Sequence, residues 1–141
     1  MSQERLLIIE DDELIADLVC RVAIEEGFDV CSTCDFMQIQ YLYDSFRPEV
    51  IILDIFMPGM DGFEVLKFLH QRCSSAHIVI MSGQGDYRPM AAKMAEGLDL
   101  SIFMTMTKPF RLAILRETLN KIRESLSMSV DNLLSNAVAG G

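Results

Sequence analysis

The residue in this chain that is best placed to do chemistry is an aspartate at the end of an apolar run. Asp54 follows Val50-Ile51-Ile52-Leu53, and such a run without polar alternation is typical of a strand covered on both faces of a parallel sheet. A charge is costly there unless it is compensated, so we expect Asp54 at the exposed carboxyl-terminal edge of the strand. Open α/β sheets place their ligands at that edge. The turn from Met57 to Gly62 follows and should hold the carboxylate above a stiff loop.

A second acidic group, Glu10-Asp11-Asp12, follows another apolar run near the amino terminus. Asp12 is a good candidate to cap the helix that comes next, but capping does not account for Asp11, Asp12 and Asp54 together. Several carboxylates in one small site need a cation to remain ionised. Oxygen ligands without a nearby histidine or cysteine favour Mg²⁺ over zinc. The acids therefore predict a magnesium site.

Two further polar residues are predicted to end neighbouring strands. Ser82 offers a small hydroxyl, and Lys108, which precedes Pro109, offers a fixed cation. An isolated serine or lysine of this kind is usually a turn residue or a solvated charge. Together with a carboxylate and a metal, however, they make up the set of groups needed for phosphoryl transfer to a carboxylate.

Alternating apolar runs and amphipathic segments supply the elements that must position these residues. We predict strands at 6–9, 28–31, 50–53, 78–81 and 102–106. Helices are predicted at 13–26, 35–46, 61–72, 88–96 and from Phe110 onward. Asp61 should cap the third helix, and Glu64 should complete a capping pair. The predicted apolar stripes consist of Leu14, Leu18 and Val22 in the first helix and of Leu112, Leu115, Leu119, Ile122 and Leu126 in the last.

This alternation predicts the fold class and the place where the acids meet. Five strands that alternate with five helices indicate an α/β fold, a doubly wound five-stranded parallel sheet with helices on both faces. In the flavodoxin-like order 2-1-3-4-5, the first and third strands flank the point where the direction of winding changes. Asp11, Asp12 and Asp54 should therefore converge on one crevice.

In this order, the motifs resemble those of the receiver domain of two-component response regulators. The resemblance covers roughly residues 4–124 and becomes specific through the combination of motifs rather than through any single one. Receivers usually carry an aromatic residue three positions before the lysine, whereas this chain has Thr105. The residues that carry the resemblance are Glu10-Asp11-Asp12, Leu53 to Gly62, Met81-Ser82-Gly83 and Lys108-Pro109-Phe110.

The resemblance implies a role for each matching residue. Asp54 would be the phosphoacceptor, and Ser82 and Lys108 would hold the phosphoryl group. The Lys108–Pro109 peptide bond would be cis, which an X–Pro bond allows. The implied ligands of Mg²⁺ are Asp11, Asp12, Asp54 and the backbone carbonyl of Phe56.

Composition and chain ends limit the remaining possibilities. The chain has 141 residues and a net charge of −9, with no basic patch that would suggest direct nucleic-acid binding. The amino terminus resembles neither a signal peptide nor a membrane span, and we expect a cytoplasmic protein. We assign residues 1–124 to the receiver domain and 125–141 to a helical or disordered linker toward a missing output domain. The end of the chain, from Leu133 to Gly141, is similar to the segment that leads into EAL-type cyclic-di-GMP phosphodiesterase domains.

The predicted partners follow from the resemblance. They are a sensor histidine kinase or a phosphotransfer protein, and a covalent EAL-type output domain after residue 141, with a homodimer left open. The chain itself is expected to be a switch that promotes its own phosphorylation rather than an enzyme. Two alternatives remain open: a degenerate receiver that acts only as an interaction module, and an aspartyl-phosphate hydrolase. The hydrolase usually has a second aspartate two residues after the nucleophile, where this chain has Phe56.

Overall fold

The computed structural model of the protein describes residues 3–72, 74–83, 93 and 96–139. Its central element is a five-stranded parallel sheet. The strands of this sheet are β1 (Arg5–Ile9), β2 (Asp29–Thr33), β3 (Val50–Asp54), β6 (His77–Ser82) and β7 (Ile102–Thr107), and a two-stranded hairpin is formed by β4 (Phe56–Met57) and β5 (Met60–Asp61). The helices are α1 (Glu13–Glu25), α2 (Phe36–Phe46), α3 (Gly62–Gln71) and α4 (Leu112–Ala139).

The order of the sheet is β2-β1-β3-β6-β7, which is the predicted flavodoxin-like order once the short hairpin is set aside. Every residue of β3 is buried, as its uninterrupted apolar run predicts. Strands β1 and β3 are neighbours in register from Leu6 and Val50 to Ile9 and Leu53. Their carboxyl ends therefore lie side by side, and the predicted fold class is confirmed.

Two apolar cores lie on opposite faces of the sheet, because successive side chains of a strand point to opposite sides. On one face, alternate residues such as Leu7 and Ile51 pack against α2 and α3. On the other, residues such as Ile8 and Ile52 pack against α1 and α4. Helices thus cover both faces, as predicted.

Helix α1 is rotated relative to its predicted stripe. Its buried residues are Ala16, Val19, Val22 and Ala23. Leu14 and Leu18 instead point outward, with 77% and 44% of their surface exposed. The prediction was right for Val22 and wrong for the two leucines, because the competing stripe, which is made of smaller side chains, lets the helix pack closely on the sheet. Two leucines are left on the surface as a result.

The last helix begins at Leu112 rather than at the predicted Phe110. Leu112 lies in its first turn and is exposed, so it does not belong to the buried stripe. The next three predicted positions, Leu115, Leu119 and Ile122, are buried as expected. The helix then continues to Ala139 without a break at residue 124, where the sequence suggested a domain boundary.

Helix α3 starts as predicted but is capped more simply. The Asp61 carboxylate accepts a hydrogen bond from the Phe63 amide at 2.9 Å. Glu64 does not reach back to form the expected capping pair and contacts Lys67 at 3.2 Å instead. The helix predicted at 88–96 lies largely outside the described residues. Within the described part of the chain, no helix is both long and apolar enough to cross a membrane.

Candidate functional site

The carboxyl ends of the strands bring the predicted site residues together. Asp54 is the last residue of β3, Ser82 is the last residue of β6, and Lys108 comes directly after β7. Asp54 thus lies at the carboxyl-terminal edge of its strand, as expected, but this position is covered rather than exposed, since Asp54 is only 2% exposed. A charge can be buried there because a cation reaches it from a strand that comes much later in the sequence.

That cation is the ammonium group of Lys108. Its Nζ lies 2.9 Å from Oδ2 of Asp54 and 2.8 Å from Oε1 of Glu10. It also lies 2.7 Å from Oε2 of Glu10, an oxygen that accepts no hydrogen bond from the described residues. The lysine side chain is 15% exposed and the two carboxylates are almost fully buried. One cation therefore links two buried acids, and a net negative charge remains at the site.

The electrostatics of this cluster shift two pKa values upward. Burial raises the pKa of Glu10 above its ordinary value, and repulsion from Asp54 adds to the rise, while the hydrogen bond from Lys108 opposes it. Burial works to lower the pKa of Lys108, but its hydrogen bonds to Glu10 and Asp54 outweigh this effect and raise the pKa. Lys108 is consequently a permanent cation at neutral pH.

The acids that come close enough to share a metal ion are Glu10, Asp11 and Asp54. One carboxylate oxygen from each lies within 4.8 Å of the others. Asp11 is exposed and opens the cluster to solvent, whereas the other two are buried. Hard oxygen donors of this kind suit Mg²⁺, which prefers carboxylates and retained water. This donor set therefore fits the predicted metal.

Asp12, which was predicted as a metal ligand, has a second function in the structure. Its Oδ1 accepts hydrogen bonds from the amides of Leu14 at 3.0 Å and Ile15 at 3.4 Å, so it caps α1. It is not one of the three acids that approach one another. Its predicted role toward the metal stays a prediction.

The hairpin that follows Asp54 orients its carboxylate. The backbone amide of Phe56 donates a hydrogen bond to Oδ1 of Asp54 at 3.1 Å. The two oxygens of Asp54 thus have different partners, the Phe56 amide on one side and the Lys108 ammonium on the other. This arrangement fixes the plane of the carboxylate. Phe56 itself leaves 44% of its surface exposed.

The remaining predicted positions lie close to this centre. Ser82 is 1% exposed and follows Met81, the partner of Asp54 in the sheet register. The Lys108 amide donates to the carbonyl of Ser82 at 2.9 Å, which ties the ends of β6 and β7 together. The Lys108–Pro109 bond is cis, as expected. Thr105 lies in β7, where it pairs with Ile80 of β6, and it is half-buried.

Sequence reasoning did not include Glu10 in the site. It contacts Lys108 and belongs to the acid cluster, and its Oε1 also accepts the Asp12 amide at 3.2 Å. The signal was available, because Glu10 is the first of three consecutive acids after β1. It ends an apolar run just as Asp54 does, so the same argument would have selected it.

The chain belongs to the response regulator receiver domain family, whose model matches residues 6–120. Fold and site geometry agree with this assignment, since the family motifs meet at one edge of the sheet. The protein is therefore a receiver domain of two-component signalling.

Two curated relatives illustrate how the same domain is used. Sporulation initiation phosphotransferase F of Bacillus subtilis is 27% identical over 121 residues, which cover 86% of this chain and 94% of that protein. The DNA-binding response regulator MtrA of Mycobacterium tuberculosis is 28% identical over 129 residues. This match covers 92% of our chain but only 53% of MtrA, so the chain spans about half the length of that relative.

Solved structures of similar fold include other receivers. The chemotaxis protein CheY4 of Vibrio cholerae superposes with a TM-score of 0.74 at 22% identity, covering 86% of this chain and 99% of CheY4. The receiver domain of the Francisella response regulator 1452 gives a TM-score of 0.73 at 24% identity, covering 87% and 98% of the two chains. At these identities the likeness supports the fold.

Proposed function

We propose that this receiver accepts a phosphoryl group on Asp54 in a Mg²⁺-dependent reaction and thereby switches an output. The observation that carries the proposal is the orientation of Asp54, which the Phe56 amide and the Lys108 ammonium hold on its two oxygens. A carboxylate whose plane is already fixed loses little further entropy when it attacks.

In the proposed reaction, a carboxylate oxygen of Asp54 attacks the phosphorus atom of the donor in line with the leaving group. A new oxygen–phosphorus bond forms as the bond to the leaving group breaks, and that group departs with the electron pair. With phosphohistidine the leaving group is a neutral imidazole, whose other ring nitrogen carries a proton when the bond breaks, and with acetyl phosphate it is acetate. In this proposal Lys108 neutralises charge on the phosphoryl oxygens, and the Ser82 hydroxyl donates a hydrogen bond to one of them.

We assign Asp11, Asp54 and the Phe56 carbonyl to a Mg²⁺ ion, with Glu10 as the further acid of the cluster. When bound, the ion neutralises negative charge on the acids and on the transferred group. Glu10 supports this assignment because it lies with Asp11 and Asp54 within 4.8 Å. Asp12 is kept as a predicted ligand, to be compared with Glu10 by experiment.

The proposed phosphodonor is a sensor histidine kinase or a phosphotransfer protein. Exposed apolar side chains beside the acidic site support a protein donor. Leu14 and Leu18 on α1 and Phe56 on the hairpin are all more than 40% exposed, at 77%, 44% and 44%. A helical partner could cover them while its phosphohistidine reaches Asp54.

The cytoplasmic location, the homodimer and the EAL-type output domain remain predictions.

Intact-mass measurement tests the proposal directly. After incubation with acetyl phosphate and Mg²⁺, the wild-type chain should gain one phosphate, whereas Asp54→Asn should gain none and keep its circular dichroism spectrum. Omission of Mg²⁺ should also abolish the adduct. A wild-type chain that gains no phosphate from acetyl phosphate or from a phosphorylated donor would favour the degenerate receiver. A phosphate on Asp54→Asn would place the acceptor elsewhere.

A further inference from the structure

Gly62, the first residue of α3, makes an unusually close backbone contact. A Cβ atom built on this glycine would lie 2.6 Å from both the Cα and the carbonyl oxygen of Ile55, and 2.9 Å from its carbonyl carbon. Real Cβ atoms do not approach other atoms this closely. The contacted atoms are backbone, so no side chain can rotate to make room. Gly62 is therefore required for the local geometry whatever its helix propensity.

The contacted residue lies between the two residues that matter most for the site. Ile55 directly follows Asp54 and directly precedes Phe56, whose amide orients the Asp54 carboxylate. On its other side, Ile55 donates its amide to the carbonyl of Met81 at 3.0 Å. The Ile55 backbone is thus held between strand β6 and the start of α3.

The hairpin makes this contact the closing point of a loop. Strand β4 pairs with β5 through Phe56–Asp61 and Met57–Met60, so Ile55 and Gly62 face each other at the base of the hairpin. Asp61 fixes the start of α3 from the same side by capping Phe63. A displacement of Gly62 would consequently be passed to Ile55 and the Phe56 amide.

We propose that Gly62 is a positioning residue for the phosphoacceptor, because its missing side chain lets α3 close the hairpin base and hold the Phe56 amide on Asp54. The effect of Gly62 on phosphorylation rests on the proposed function. Its effect on the Phe56 amide can be measured separately, in the metal-free protein. Displacements on the order of 1 Å can reduce a rate about 100-fold.

Gly97 provides a matched control. It is the last residue of a described stretch of helical backbone, whereas Gly62 is the first residue of α3, and a Cβ built on Gly97 would meet no atom within 4 Å. Gly62→Ala and Gly97→Ala therefore make the same chemical change, one with a backbone clash and one without. Any gain in helix propensity from alanine should be shared by both variants.

The experiment measures amide hydrogen exchange by NMR in Mg²⁺-free buffer, followed by Mg²⁺ titration and phosphorylation by acetyl phosphate. In Gly62→Ala, the Phe56 amide should exchange about tenfold faster relative to the amides of β3, and Mg²⁺ affinity should fall about tenfold, as for other residues that orient metal ligands. Gly97→Ala should behave as the wild type in both measurements.

The outcomes separate this inference from the proposed function. If Gly62→Ala loses stability but keeps wild-type exchange at Phe56 and wild-type Mg²⁺ affinity, Gly62 is merely a packing residue and the inference is wrong. If the wild type neither binds Mg²⁺ nor accepts phosphate, the proposed function fails. Faster exchange at Phe56 in Gly62→Ala would even then support the positioning role.

A second set of variants decides the matter if Gly62→Ala does not fold. Asp61→Ala removes the cap beside Gly62, while Asp61→Asn removes the same charge and keeps the capping ability. Asp35→Ala removes the equivalent cap of α2, which follows β2, a strand separated from β3 by β1. Faster Phe56 exchange in Asp61→Ala alone supports the inference. Equal exchange in all three variants overturns it, since a loosened α3 start would then leave the site unchanged.

Discussion

The two edges of the sheet use charge in opposite ways. At the carboxyl-terminal edge, Lys108 joins Glu10 and Asp54, and both carboxylates are nearly inaccessible. At the amino-terminal edge, an open groove of about 690 Å³ carries ion pairs that remain in solvent. These are Arg5–Glu49 at 3.3 Å and Arg72–Asp44 at 3.0 Å, with between 35% and 54% of each side chain exposed.

The difference shows that burial, more than the number of charges or the size of a cavity, decides where charged groups interact strongly with one another. The groove is large and contains three arginines, Arg5, Arg47 and Arg72, yet water screens its pairs. The acid cluster is small, but its charges interact through the protein interior and shift one another's pKa values. Matched substitutions at the two kinds of position can test this contrast.

The largest effect is expected from Lys108→Met. This change leaves Glu10 and Asp54 together without their cation, which should lower the free energy of unfolding by about 3 kcal/mol in Mg²⁺-free buffer at neutral pH. Mg²⁺ should restore part of the loss by neutralising the acids. Urea unfolding with and without Mg²⁺ measures both effects. The control is Lys67→Met, which breaks an exposed pair with Glu64 and should cost less than about 0.5 kcal/mol. Equal losses in the two variants would refute the contrast.

A second comparison lies within the acidic motif itself. Glu10→Gln should lower Mg²⁺ affinity about tenfold, because Glu10 belongs to the acid cluster. Asp12→Asn should keep the cap of α1, since asparagine caps about as well as aspartate, and should change affinity less. Titration of both variants with Mg²⁺ shows which of them loses more Mg²⁺ affinity. A greater loss in Asp12→Asn would confirm the assignment made from sequence and remove Glu10 from the metal site.

The pH dependence of stability should distinguish the buried cluster from the surface pairs. The pKa of Glu10 is raised above 4.5 in the folded protein, mainly by burial. Its stabilising contribution is therefore complete below pH 4.5 and is lost as the pH rises through the raised pKa. The loss amounts to about 1.4 kcal/mol for every tenfold difference in proton affinity between the folded and unfolded chains. The pKa of Lys108 is also raised, so its contribution is lost only above pH 10.5.

The measurement is urea unfolding of the wild type and Glu10→Gln without Mg²⁺, from about pH 4.5 to about pH 8, a range that starts at the ordinary pKa of a glutamate. The stability of the wild type relative to the variant should decrease as the pH rises. Parallel curves would mean that Glu10 titrates alike in the folded and unfolded chains, and that burial does not set this cluster apart.

A small effect is expected from Asp44→Asn at the amino-terminal edge. It removes the charge of a pair in which Arg72 contacts both carboxylate oxygens, at 3.0 and 3.1 Å. Because the pair is exposed, the loss should stay below about 1 kcal/mol and should shrink further in high salt. Phosphorylation should proceed at the wild-type rate. A loss as large as that in Lys108→Met would show that this edge also holds strongly coupled charge.

The sequence was sufficient for the fold because strand periodicity and helix caps are local signals. The continuous apolar run before Asp54 identifies a central strand, and Asp12, Asp35 and Asp61 each cap the helix that follows. The position of Asp54 at a strand end also follows from this run. These properties need no knowledge of residues distant in the chain.

Other features depended on contacts that no local pattern contains. The rotation of α1 follows from how closely Ala16 and Ala23 approach the sheet, and the spacing of Leu14 and Leu18 could not reveal it. The burial of Asp54 depends on a lysine 54 residues later. Glu10 joins the acid cluster because its longer side chain reaches Lys108, which is 98 residues away.

The contact between Glu10 and Lys108 also has a consequence for biosynthesis. Chain synthesis makes the amino-terminal strands available first, whereas Lys108 follows the last strand of the sheet and emerges after all five strands. A nascent chain that has emerged only as far as Thr107 can pair β1 with β3, yet its acids have no ammonium to join them. The two buried acids are thus compensated only once Lys108 has emerged, so a chain cleaved before that residue would leave an uncompensated pair of acids at this edge of the sheet.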